Sequence, residues 1–500
     1  MAWPFSFGSA LGLAPGQPAG WLQLLSLALL AAQLDGCRSW RRGAWLGGLF
    51  ATAMLCATFW WLYISLHVYG GLAAPLTVLA VVLLAAFLAL YYAAAAGLFV
   101  ALAPARRAPR ALVFAALWLL AELARVKLFT GFPWGEGGYA HVDGWARPLA
   151  AWVGVHGLSL MAAFVAAWLA FSLRAPAKRR WLTVLATVVF GAALAQLPVS
   201  DAVLSEMPQP GVLSVTLLQG NIPQDEKFQS GTGVVTALRW YGEQLRDAGT
   251  ALVVAPETAL PLLPQQLPEG YWQALQARFA KGKQAALIGL PLGSFEAGYS
   301  NSVLGLKPGQ PELREPYRYD KHHLVPFGEF VPPGFRWFID LMHIPLGDFN
   351  GGAAGPASFD WQGQRLAPNI CYEDLFGEEL GMRFVDAALA PTIFVNVSNI
   401  GWFGNTIAID QHLQISRMRA LEFSRPMIRA TNTGATVIID HSGQVTHSLP
   451  RHTRDALVGD VQGRSGITPY AWWVSRYGLW PLWALSAVVV GLAFAFRRRR

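Results

Sequence analysis

The chain has 500 residues, more than one ordinary core encloses, and its 54% hydrophobic against 14% charged residues excludes a wholly water-soluble protein. The formal charge of +8 comes from 38 basic and 30 acidic residues. It does not point to nucleic acid, because the basic residues sit in short clusters ("CRSWRRG", "PARRAPR", "RAPAKRR", "RRRR") between apolar runs, with no stripe interleaved with aromatics.

Apolar runs near the roughly 20 residues needed to cross a bilayer fall at 17–34, 43–65, 74–102, 111–124, 149–173, 181–198 and 478–496. The fourth is short by itself. Basic loops after the first, third and fifth runs alternate with the poorly charged "HVYGG" and the mixed "VKLFTGFPWGEGGYAHVDGWAR". Since Lys and Arg resist translocation, the basic loops are read as cytoplasmic. Residues from about 200 to 476 then lie outside, and the Arg tail returns to the cytoplasm. The expected organisation is a helical membrane bundle over 1–200, an extracytoplasmic domain over 211–462 and a last membrane helix over 478–496. The N-terminus lacks the basic region of a cleaved signal peptide, and "FSFGSALGLA" reads as a reduced extra span or the remainder of a truncated one.

The region 211–462 has a different texture. "VLSVTLLQGN", "ALVVAPE", "QAALIGLPLG", "RLAPNICYE", "TIFVNVSN", "MIRATNTG" and "ATVIIDHSGQV" are short apolar runs closed by Gly, Asn or a charge, as buried strands are. Helices are expected over 234–248, 270–281 and 410–425, with Asp410 as an N-cap, giving an α/β domain whose strands are covered on both faces.

Three strand ends and loops carry reactive side chains: Glu257 in "VVAPETALP", Lys321 in "YRYDKHHLVPFGEF" and Cys371 in "NICYEDLF". Singly, each suits a structural role: a helix cap, a solvated loop charge, a small buried hydrophobe. Together, with "DKHHLVPFGEFVP" around Lys321 and Glu329 and "VNVSNIGWFG" after Cys371, the set resembles the nitrilase superfamily. Joined to an N-terminal bundle and one C-terminal span, it looks like the superfamily's membrane-bound apolipoprotein N-acyltransferases.

That resemblance implies a nitrilase-like α-β-β-α sandwich fused to a multi-span helical membrane bundle, in a bacterial inner membrane with the catalytic domain on the periplasmic side. It implies an acyl chain passing from a glycerophospholipid, typically phosphatidylethanolamine, to Cys371 as a thioester, and then to the α-amino group of a diacylated apolipoprotein. Glu257 would be the general base and acid, Lys321 the oxyanion stabiliser and Cys371 the nucleophile. Glu329 and Glu373 match acidic positions that orient the lysine or the amine, and Tyr372 and Asn396 would shape the pocket. Phe228 stands where some relatives carry Trp, which keeps the aromatic ring without the indole N–H. No cofactor or metal is expected, and His322 and His323 are read as loop residues. The apolar stretch 335–347 is read as a lid for lipid through Trp337, Phe338, Leu341, Met342 and Ile344. A membrane-anchored amidohydrolase, in which water resolves the acyl-enzyme, is the alternative.

Overall fold

The structure, a computed structural model of the full chain, describes residues 14–172, 176–196, 209–309, 315–332, 334, 336 and 348–497. The N-terminal "FSFGSALGLA" and the lid residues Trp337, Phe338, Leu341, Met342 and Ile344 lie outside the described residues. The chain divides into two compact units. One holds Met1–Tyr63, Ala73–Ala202 and Arg476–Arg500; the other holds Ile64–Leu72 and Val203–Ser475.

The first unit contains helices α1 (Gly20–Asp35), α2 (Trp40–Phe59), α3 (Ala74–Leu102), α4 (Arg107–Lys127), α5 (Ala150–Ser172) and α6 (Ala177–Ala195), and then Trp480–Arg497. Among the described residues, Ala74–Leu102, Arg147–Ser172 and Trp480–Arg497 are long and apolar enough to cross a membrane. Lipid supplies no hydrophobic drive between helices, so close backbone approach at small residues holds such a bundle. Gly43 and Gly47 on α2 do this: a Cβ at Gly47 would stand 2.3 Å from that of Ala96 on α3. The connection after α4 is exposed at Leu128 and Phe129 and then turns inward. Its 3-10 turn Gly137–His141 is buried, and Gly137 N–H donates to the buried Glu122 at 3.0 Å.

The second unit is built on two six-stranded sheets of strands numbered in chain order, among them β6 (Phe359–Trp361), β10 (Val437–Ile439), β11 (Val445–Ser448) and β12 (Asp455–Gln462), arranged β12-β1-β2-β3-β4-β5 and β11-β10-β9-β8-β7-β6. The strands that matter for the site are β1 (Val212–Gln219), β2 (Leu252–Val254), β3 (Ala285–Ser294), β4 (Gly298–Leu306) and β5 (Tyr317–Asp320) in the first sheet. In the second they are β7 (Gln364–Ile370), β8 (Ile393–Ser398) and β9 (Met427–Thr431). Strands β1, β2 and β3 pair in parallel, as do β7, β8 and β9.

The period-2 alternation of a strand sends Leu213, Val215 and Leu217 of β1, and Ile393, Val395 and Val397 of β8, into one core between the sheets. The opposite face of the first sheet, with Val253, Ala286 and Ile288, packs under Val234, Leu238 and Tyr241 of helix Gly233–Asp247 and Leu275 and Phe279 of helix Tyr271–Lys281. Helix Ala408–Phe423 covers the second sheet, with Phe423 edge-on to Phe394. The layers are thus α-β-β-α. Central strands buried on both faces explain why they read as continuous apolar runs.

Asp410 is not an N-cap. It lies in the first turn of Ala408–Phe423 and pairs with Arg451, while the hydroxyl of Thr406 accepts the N–H of Ala408 at 3.3 Å. Strands β4, β5 and β12 (Asp455–Gln462) escape an apolar-run reading because polar residues interrupt them. Ile64–Tyr69, a π-helix between α2 and α3 in sequence, belongs to the second unit, with Tyr69 edge-on to Trp402.

Candidate active site

The candidate residues stand at the C-terminal ends of strands, where open α/β sheets gather ligands. Glu257 lies just past β2, Lys321 follows β5 directly and Cys371 follows β7 directly. Lys321 Nζ donates to Glu329 Oε1 at 2.9 Å and stands 3.6 Å from Glu257 Oε1. Asn301 of β4 donates to both carboxylates, at 2.7 Å to Glu257 and 2.8 Å to Glu329. The N–H of Asn399 completes the cradle at 2.7 Å from Glu257 Oε2. All four side chains, Glu257, Asn301, Lys321 and Glu329, are buried.

Burial by itself would raise the Glu257 carboxyl, but the Lys321 and Lys227 ammoniums and the hydrogen bonds from Asn301 and Asn399 outweigh it and hold the group below the usual carboxylate range. Burial likewise opposes the charge of Lys321, yet Glu329 and Glu257 raise its proton affinity above that of an ordinary lysine. The thiol of Cys371 is pushed up to about 12, by burial first and then by the Glu257 charge, against the pull of Lys321 and the Ser398 hydroxyl. The resting site is therefore an ionised carboxylate, an ammonium and a neutral thiol. Such a thiol needs a base at the moment of attack.

Cys371 has φ +52°, in the left-handed region that a residue with a Cβ rarely adopts. Strain of this kind persists only where surrounding bonds over-determine it. Here the main-chain oxygen of Cys371 accepts from Asn396 Nδ2 at 3.3 Å and faces His412 Nε2 at 3.1 Å. Glu373 grips the chain on both sides of the nucleophile turn. Its Oε2 accepts from Ile370 N–H and Tyr319 O–H, both at 2.6 Å, and its Oε1 from the N–H groups of His322 at 2.6 Å and His323 at 3.2 Å. Glu373 thus fixes the nucleophile turn to the loop that carries Lys321.

Tyr372 is buried beside Phe376, with ring centroids 5.3 Å apart, and His323. His322 Nδ1 lies 2.8 Å from Gly352 O, and His323 Nδ1 3.0 Å from Glu379. Phe228 is exposed. Sequence reasoning missed Asn301, Asn399, Lys227 and His412. Only Asn301 carried a signal, as an amide inside the strand "GYSNSVLGL".

A carboxylate–ammonium pair beside a thiol on a sharp strand end, set between two stacked sheets, defines a nitrilase-type carbon–nitrogen hydrolase domain, and residues 214–470 match the family model described as Carbon-nitrogen hydrolase. Residues 8–168 match the Apolipoprotein N-acyltransferase N-terminal domain. The chain belongs to the apolipoprotein N-acyltransferase family. It is 60% identical to the apolipoprotein N-acyltransferase of Verminephrobacter eiseniae over 497 residues, covering 96% of this chain and 90% of the relative. It is 46% identical to that of Ralstonia nicotianae over 485 residues, with the same coverages. Among solved structures, a carbon-nitrogen hydrolase from Helicobacter pylori is similar at 16% identity and TM-score 0.36, covering 55% of this chain and 94% of that one.

Proposed function

We propose that the protein transfers a fatty acyl chain from a glycerophospholipid, through a thioester on Cys371, to the N-terminal amine of a diacylated apolipoprotein at the periplasmic face of a bacterial inner membrane. The observation that carries this reading is the ionised Glu257 held by Lys321 at 3.6 Å in one site with the neutral thiol of Cys371, in a chain that also carries membrane-length helices. Glu257 takes the thiol proton as sulfur bonds to the ester carbonyl, and Lys321 steadies the oxyanion. The carbon–oxygen bond breaks, and the lysophospholipid alcohol leaves with the proton from Glu257. The amine then attacks the thioester, Glu257 accepts its proton, the carbon–sulfur bond breaks and the thiol is restored.

Glu329 and Asn301 hold the lysine and the base in register; Glu373, Tyr372 and Asn396 support the nucleophile turn. A chain of roughly fifteen CH2 groups costs about 12 kcal/mol to lift into water at about 0.8 kcal/mol each, so the donor must be met at the bilayer. The apolar stretch around Trp337 and Phe338 suits the part of a lipid lid. The test is incubation of purified protein with labelled phospholipid and a diacylated lipopeptide. A triacylated product is expected; free fatty acid in its place would favour the amidohydrolase-like alternative, and no product of either kind would reject the reading.

A further inference from the structure

The cluster around Lys321 does not balance its own charge. Glu257 and Glu329 share one ammonium, that of Lys321, so these three buried side chains carry a net charge of minus one away from water. An uncompensated buried charge costs several kcal/mol, and such a site normally takes up a proton instead. Protonation would fall on a carboxylate and remove the base.

A second lysine meets this need. Lys227, in the loop after β1, is only 3% exposed, and its Nζ donates to the main-chain oxygen of Glu257 at 3.1 Å, its one hydrogen bond among the described residues. We infer that Lys227 is a positioning residue for the reaction: its ammonium brings the Glu257–Lys321–Glu329 cluster to neutrality and so keeps Glu257 a carboxylate ready to receive the Cys371 proton. This inference rests on the proposed role of Glu257 as the base.

The charged groups acting here can be named. Lys321 and Lys227 act on Glu257; Glu257 acts on Lys227; and Glu257, Lys321 and Glu329 act on the thiol. Glu373, also influenced by Lys321, is turned to the main chain of Ile370, His322 and His323. Burial pushes Lys227 down to about 8, against the pull of Glu257, so its charge is present below that pH and lost above it. The charge count also stays constant during acylation. As Glu257 becomes neutral, the acyl oxygen becomes anionic, and two cations still face two anions.

Two roles are separable, because Lys227 both anchors the Glu257 carbonyl and supplies charge. Lys227→Gln keeps a donor for the carbonyl and removes the charge; Lys227→Arg keeps both. In the full-length protein with Cys37 and Cys56 replaced by Ser, the rate of Cys371 alkylation by iodoacetamide is followed against pH, with no acyl donor present. Lys227→Gln should move the acid limb of that profile upward by about one pH unit or more, slowing alkylation by about tenfold on the limb itself, where Glu257 is partly protonated. The deficit should close as pH rises past the shifted limb, and Lys227→Arg should alkylate within about threefold of the parent throughout. An acid limb unmoved in Lys227→Gln, or Arg and Gln variants equally slow with equally lowered melting temperatures, would overturn the assignment. Since no lipid or lipopeptide enters this assay, its outcome is independent of whether a triacylated product forms.

Discussion

Nε2 of His412 lies 3.1 Å from the main-chain oxygen of Cys371, so the imidazole stands directly behind the nucleophile turn. Nδ1 of the same ring faces Arg429 Nη2 at 3.0 Å, and a guanidinium can only donate. Nδ1 is therefore the acceptor and Nε2 carries the hydrogen, shared between Cys371 O and Asp374 Oδ1 at 2.9 Å. The ring braces the strained nucleophile from behind.

His412→Ala removes that brace and leaves Asp374 and Arg429, both fully buried, without their shared partner. A loss of about 2–4 kcal/mol in stability is expected, seen as a lower melting temperature. Thioester formation on Cys371 should also slow by about tenfold or more well below the melting range, measured as hydroxylamine-sensitive acyl incorporation. An unaltered acylation rate would show that the turn holds itself.

Asn301 touches both carboxylates through one amide nitrogen, so its variants separate geometry from charge. Asn301→Ala should lower acyl transfer by about tenfold by letting Glu257 and Glu329 drift. Asn301→Asp places a third carboxylate against two and should be more damaging than Ala. Glu257→Gln and Lys321→Ala should each lose about 100-fold or more. Initial rates with labelled phospholipid and lipopeptide rank the four variants, and an Asp variant as active as Ala would contradict the charge argument.

The Cys371 thiol has a proton affinity raised by burial and by Glu257, with a pKa of about 12. An ordinary thiol levels off in alkylation rate as pH passes about 8.5. Alkylation of Cys371 in the substrate-free protein should show no such levelling between pH 8 and 10. The sign for stability follows from the same shift. The folded state keeps a proton that the unfolded chain has lost between about 9 and 12, so this group's contribution declines as pH rises through that window. Cys371→Ala should accordingly soften the alkaline fall in melting temperature.

Cys37 stands beside Arg38, Arg41 and Arg42. With those basic residues on the cytoplasmic side, an impermeant thiol reagent should label Cys37 only after the inner membrane is opened. Labelling in intact spheroplasts would reverse the orientation and place the 211–462 domain inside the cell.

The sequence by itself determined the elements whose physics is local. Runs such as 74–102 are apolar along their whole length because a helix in lipid hides its backbone and leaves its side chains in hydrocarbon. The runs containing β1, β3, β7 and β8 are apolar because both faces are covered. Glu257 and Cys371 stood out because they close such runs, whereas Lys321 and Glu329 close none and were read with them only through the resemblance of their motifs to a known family. The tertiary structure alone decided what surrounds them. Asn301, Asn399, Lys227 and His412 lie 44, 142, 30 and 41 positions from the residues they contact. No local spacing marks such partners: they are brought together by strand order and by the stacking of two sheets. The φ of +52° at Cys371 and the charge balance around Glu257 belong to that same level, since both depend on which buried groups face one another after the sheets have closed.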